Sequence, residues 1–145
     1  MRVDFYQLSR GPAEDALPLI ARATLKAGQR LLVVSADEDQ LRRISEGMWT
    51  RLRETFLANG RAGGEHDARQ PVLLSDRAEA ANGARFVAMA DGLWRDEAFG
   101  FDRAFLLFDD VTVQGARDCW RMVGQRDDVE RHFWKQEDGK WVEGP

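Results

Sequence analysis

The runs Arg30–Ser35, Ala84–Ala90 and Ala104–Phe108 are apolar almost without alternation. A strand with one solvated face shows every second residue as polar, so strands of this kind are shielded on both sides. Helices supply that shield, and the intervening segments have helical patterns. Arg2–Leu8 reads as a first strand, broken by Gly11-Pro12. From Ala13, Leu17, Ile20, Ala21, Thr24 and Leu25 recur at helical spacing, and Ala27-Gly28 closes that helix. Pro18 falls inside the pattern, which predicts either a start nearby or a kink. After the strand Arg30–Ser35, Ser35-Ala36-Asp37 offers a cap. Leu41, Ile44, Met48 and Leu52 then carry a second helix to about Trp49 or beyond.

Strand, helix, strand, helix with short connections predicts parallel strands joined by right-handed crossovers. Phe56–Pro71, with Asn59-Gly60 and Gly63-Gly64, reads as a surface loop. Pro71–Ser75 resumes as a short strand, and Asp91–Phe101 has room for a turn of helix. Near the end, His132–Gln136 and Lys140–Val142 flank Glu137-Asp138-Gly139, where Asp-Gly predicts a turn. The expectation is one three-layer α/β domain over residues 1–145 with a mostly parallel sheet.

Charge and composition remove several classes of function. The net charge is −4 and the sequence pI about 5.2, which argues against direct, phosphate-driven binding to nucleic acid. A single cysteine, Cys119, forms no disulfide within the chain and fits a reducing cytoplasm. Met1-Arg2-Val3-Asp4 runs straight into a charged strand, with no signal peptide expected. No stretch has 18 consecutive apolar residues, so no membrane partner is expected.

An α/β fold invites a nucleotide site, yet its signatures are missing. There is no G-x-x-x-x-G-K-[ST]. Arg10-Gly11-Pro12 after the first strand is no G-x-G-x-x-G, and proline removes an amide donor such a loop needs. Ala104–Asp110 superficially resembles a magnesium-holding strand, which keeps open a small nucleotide-dependent enzyme or hydrolase using Asp109, Asp110 or His66. Carboxylates at a strand end more often cap the segment that follows. His66, His132 and Cys119 have no metal-ligand spacing, so neither metal nor cofactor is expected and no catalytic residue is assigned.

The stretch Val113–Arg126 carries the most specific pattern. As a helix it places Arg117, Trp120 and Arg121 at i, i+3 and i+4, on one face. Arginine takes carboxylates bidentately, and an indole offers an apolar wall, so the face suits an acidic peptide ending in an apolar side chain. A solvated helix with Trp120 packed inward meets the same spacing.

Several stretches in order resemble the chi subunit of bacterial DNA polymerase III. These are Phe5-Tyr6-Gln7-Leu8, Leu41–Phe56 with Met48-Trp49, Phe56–Gly60, Gln70–Leu74, Ala116-Arg117 with Trp120-Arg121, and Gly139-Lys140-Trp141. The resemblance implies a nucleotide-binding-like fold that has lost its nucleotide site. It implies a non-catalytic accessory subunit, tying the clamp-loader assembly to the single-stranded DNA-binding protein by gripping that protein's acidic, phenylalanine-ended C-terminal tail. Carried onto this chain, the tail contact falls on Arg117, Trp120 and Arg121. Val113 and Gly124 stand where relatives carry further basic residues. A second implied partner, the psi subunit, would meet Phe56 and Leu57, followed here by Ala58-Asn59 where a proline-histidine pair is common.

Overall fold

The computed structural model describes residues 1–50, 57–138 and 140–144. Eight strands form one sheet: β1 (Arg2–Gln7), β2 (Leu31–Val34), β3 (Asn59–Arg61), β4 (Val72–Ser75), β5 (Phe86–Met89), β6 (Arg103–Phe108), β7 (Glu130–Glu137) and β8 (Lys140–Glu143). Their order is β3-β4-β2-β5-β6-β1-β7-β8. Every pairing is parallel except β7 with β8, the hairpin expected around Asp138, which adopts φ 51. Three α-helices lie among the described residues: α1 (Ala13–Lys26), α2 (Glu38–Thr50) and α3 (Val113–Gly124).

Alternate strand residues feed two cores, as a period of two requires. Leu31, Val33, Leu74, Phe105 and Leu107 meet α1 and α2 on one face. Val3, Phe5, Leu32, Val34 and Leu106 meet α3 on the other. The crossover through α1 leads from β1 toward the β3 edge on the first face. The crossover through α3 leads from β6 toward β8 on the second. Reversing both direction and face gives the two crossovers the same hand, and the sheet is doubly wound with helices on both sides.

Local chemistry sets the helix ends. The Asp37 carboxylate accepts from the amides of Asp39 and Gln40 at 3.0 and 3.3 Å, the cap expected there. Gly28 takes φ 76 after α1, with its amide on the Leu25 carbonyl. Pro18 neither starts nor ends α1, which runs unbroken across it; its ring is buried among apolar neighbours. The expected loop after Phe56 also needs correction. Asn59–Arg61 is an edge strand, paired in register with Val72–Leu74. Its glycine and polar residues hide that role from a hydrophobic pattern.

Asp4 ties the centre of the sheet's second half. Its carboxylate is fully buried and accepts from Arg103 Nε at 2.7 Å on β6, Trp134 Nε1 at 2.9 Å on β7, and Arg2 Nη2 at 2.9 Å. The Arg103 guanidinium in turn lies 4.7 Å from the centre of the Phe105 ring. Removing one partner of a buried ion pair leaves the other's charge uncompensated. Because Arg2 and Arg103 keep some solvent access (34% and 27%), the loss falls at the low end of the usual range. Asp4→Ala is expected to lower unfolding free energy by about 3 kcal/mol in urea titrations.

His132 on β7 ties down the hairpin. Its Nε2 lies 2.8 Å from Glu130, and its Nδ1 meets Glu143 on β8. The bond with Glu130, then that with Glu143, raises the His132 pKa; Arg2 opposes and Asp4 reinforces the shift. A raised folded pKa means the contact contributes fully below the unfolded value near 6.5 and is lost as pH climbs through the folded one. Glu130, held below its usual range chiefly by His132, gives the same contact an acid limit. Melting temperature should therefore fall as pH rises above about 6.5, and His132→Gln should flatten that slope in thermal melts.

Candidate functional site

Helix α3 starts where β6 ends. The Asp109 carboxylate accepts from the amides of Val111 and Thr112 at 2.9 and 3.1 Å, and the Thr112 hydroxyl closes back on the Asp109 amide at 3.0 Å. The strand-end carboxylate is thus committed to the turn into the helix, as a cap rather than a reactive group. Ala116, Cys119 and Val123 form the buried stripe of α3. Burial pushes the Cys119 thiol up to about 12, so it is a small apolar side chain and no nucleophile. Arg117 and Arg121 point outward, and Trp120 rides the flank between stripe and solvent.

A cavity of about 310 Å³ opens between this flank and the sheet, lined by Phe5, Phe108, Trp120 and Phe133 with Val113 and Ala116. Gln7, Arg117 and Arg121 complete its wall. The Trp120 and Phe5 rings meet edge to face, 5.1 Å apart at 75°. Trp120 and Phe133 lie 6.5 Å apart at 81°, and Phe133 also neighbours Phe108 at 6.5 Å. Edge-to-face packing holds each ring in place and leaves a gap with a mostly apolar wall. The volume sits at the small end of the roughly 300–1,000 Å³ typical of ligand sites.

The three residues Arg117, Trp120 and Arg121 therefore share one cavity. The two cations differ in their surroundings. Arg121 is paired with Asp118 on its own helix, whereas Arg117 has no ion-pair partner among the described residues. Phe5, Phe108 and Phe133 escape sequence reasoning because they come from three strands, and only the order β6-β1-β7 brings them together. A further cation escapes it as well. Arg131 lies with its guanidinium centre 4.2 Å from the centre of the Trp120 ring, and its Nη1 donates to the Trp120 carbonyl at 2.7 Å.

At the carboxyl ends of the strands, where doubly wound sheets hold nucleotides, a hollow of about 190 Å³ remains, but the polar side chains around it are paired with one another. The Gln40 amide donates to Glu14 and to the Ala90 carbonyl at 3.2 and 3.0 Å, and Arg43 Nε meets Glu14 at 3.1 Å. Beside them Asp91 takes two bonds from Arg95, at 2.9 and 2.8 Å, and the Ala36 amide at 2.9 Å. Helix α1 is preceded at its N-cap by Pro12, whose nitrogen has no hydrogen to offer a phosphate. His66 is exposed, and its ring lies 3.5 Å from Glu65. No three His, Cys, Asp or Glu side chains converge as metal ligands among the described residues. No helix among them is long and apolar enough to cross a membrane.

The residues expected to meet a psi subunit fare differently. Phe56 lies outside the described residues. Leu57 is 1% exposed, packed in the core with Leu41, Ile44 and Met48.

These features define a doubly wound α/β protein whose crevice side chains are paired with one another, with an aromatic cavity, rimmed by arginines, on the flank of its last helix. The family model described as DNA polymerase III chi subunit, HolC, matches residues 1–129 of the chain. The protein belongs to that family, and so to the accessory subunits of DNA polymerase III. No curated protein matches it. The matched segment carries all of α3 and ends just before β7, so Arg131 and Phe133 lie beyond it.

Proposed function

We propose that this protein is a non-catalytic adaptor in the replicative polymerase, gripping the acidic, phenylalanine-ended C-terminal tail of the single-stranded DNA-binding protein. One observation carries the reading: Arg117 and Arg121 stand at the wall of an aromatic cavity large enough for one aromatic side chain. In this reading the terminal phenylalanine fills the space between Phe5, Trp120 and Phe133, and its carboxylate meets Arg117, the cation without a competing ion pair. The tail's other carboxylates meet Arg121, displacing Asp118.

Magnitudes decide which contact dominates. Exposed ion pairs contribute about 0.2–1 kcal/mol each, whereas burying a phenylalanine contributes about 1.5–3. Ordering the tail offsets part of the sum. The cavity therefore sets affinity and the arginines set orientation and encounter rate. A single tail binds at around micromolar Kd, and several tails on one oligomer raise the effective concentration while each grip stays releasable. Phe56 is the proposed psi contact, and through psi the chain would reach the clamp loader.

Isothermal titration with an acidic peptide ending in phenylalanine tests the reading. Wild type should bind at about micromolar Kd, more weakly as salt rises. Trp120→Ala should abolish measurable binding, at some cost in melting temperature because its ring packs on Phe5 and Phe133, and Arg117→Ala should weaken binding about 2- to 5-fold with the melting temperature unchanged. Magnesium nucleotides should leave the melting temperature where it is, whereas the peptide should raise it. Wild-type affinity in both variants would remove the site, and a melting shift with nucleotide would favour the rival enzyme built on Asp109 and Asp110.

A further inference from the structure

We infer that Arg131 is the third cation of this site and sets the direction in which an acidic peptide crosses it, an inference that rests on the tail-binding reading above. Strand β7 runs parallel to β1, with Phe133 opposite Phe5 and Arg131 opposite Val3. Helix α3 runs the other way. Its first residue, Val113, stands at the cavity beside Gln7 and Phe108, and its last, Gly124, stands beside Arg131. The indole of Trp120 thus has the cavity toward one end of the helix and the Arg131 guanidinium toward the other.

Arg131 is held rather than dangling. Its charge sits over the Trp120 ring at 4.2 Å and its Nη1 bonds the Trp120 carbonyl at 2.7 Å. Gly124 makes the room: a Cβ at that position would stand 2.3 Å from Nη1 and 2.6 Å from the guanidinium carbon. No carboxylate pairs with Arg131 among the described residues, and the residue is exposed. A planar guanidinium with one edge anchored keeps further donors for an outside acceptor at little extra entropic cost.

Down α3 from Arg117 come Arg121, paired with Asp118, and then Arg131, with Asp127 and Asp128 exposed just past the helix. Past Val113 in the other direction come Asp109 and Asp110, both exposed. A peptide whose terminal phenylalanine fills the cavity meets Arg117 and Arg131, which have no ion-pair partner among the described residues, along the first path and two exposed carboxylates along the second. From the level of Arg117 to that of Gly124 the helix rises roughly 10 Å. An extended peptide covers that span in about three residues. Arg131 therefore reads the carboxylates about three positions before the terminal phenylalanine.

A double-mutant cycle tests this role. Wild type, Arg131→Gln and Arg131→Lys are titrated with two peptides that end in phenylalanine: one with carboxylates about three residues upstream, one with amides there. Arg131→Gln should weaken the carboxylate peptide about 3- to 5-fold and flatten its salt dependence, leaving the amide peptide unchanged. Arg131→Lys should recover most of the loss, because the charge remains. Equal weakening of both peptides would reduce Arg131 to a prop for the indole, and no weakening of either would remove it from the site; each result overturns the assignment. Trp120→Ala serves as the control: if it binds the carboxylate peptide as wild type does, the tail-binding reading itself falls, whatever Arg131 does.

Discussion

The insertion of β1 between β6 and β7 is the constraint on which the rest of this molecule depends. Parallel pairing puts Phe5 opposite both Leu106 and Phe133, and Asp4 opposite both Phe105 and His132. One strand therefore presents an aromatic floor to α3 and a buried carboxylate to the opposite face. Asp4 collects donors from both neighbours and from Arg2, which opposes any slip of register: a shift by one residue would carry the carboxylate into the α3 core and Phe5 out of it. The cavity flank inherits its geometry from that registration. Ring positions set to within an ångström by hydrogen-bonded strands suit a receptor for one side chain better than a loop would.

The self-paired crevice and the open flank are two outcomes of one architecture. Doubly wound sheets gather loops at the carboxyl ends of their strands, and a ligand there needs free amides and polar side chains without partners. Here Gln40, Arg43, Arg95 and the carboxylates of Glu14 and Asp91 satisfy one another. A nucleotide would have to break those bonds before making its own. The flank of α3 carries no such closure. Its buried stripe is narrow, three small side chains at Ala116, Cys119 and Val123, so the helix stands close to the sheet there while Trp120 bridges the widening gap beside it.

Much of this was legible in residues alone, where the signal is local. The two-sided apolar runs gave parallel strands, Asp37 gave a cap, Gly28 a helix stop, and the spacing of 117, 120 and 121 gave one helical face. Failures came where tertiary context overrides local chemistry. Asn59-Gly60-Arg61 has no strand propensity and is a strand because β4 offers it an unpaired edge. Pro18 reads as a breaker but sits in the buried side of α1, where packing offsets the missing hydrogen bond. Leu57 looks like a surface neighbour of Phe56 and is instead core. The cavity's aromatic walls come from residues as far apart as Phe5 and Phe133, and no window of sequence contains both.

Arg117, Arg121 and Arg131 look interchangeable in sequence and are not so in place. Arg121 already has Asp118, so any outside carboxylate must compete for it, and the gain is the difference between two similar exposed pairs. Arg117 stands at the cavity without such competition. Arg131 gives up part of its freedom to the indole and a carbonyl before any partner arrives, which lowers the entropy it still has to lose. The same formal charge thus does three different things: an uncommitted anchor at the mouth, a pair that must be exchanged, and a pre-ordered donor further along. Under the proposed reading, such a site would favour a ligand by the order of its groups, with the aromatic end first and the acids trailing in one direction. That ordering follows from backbone registration and from the space left by one glycine, and the net charge of the chain, which is negative, has no part in it.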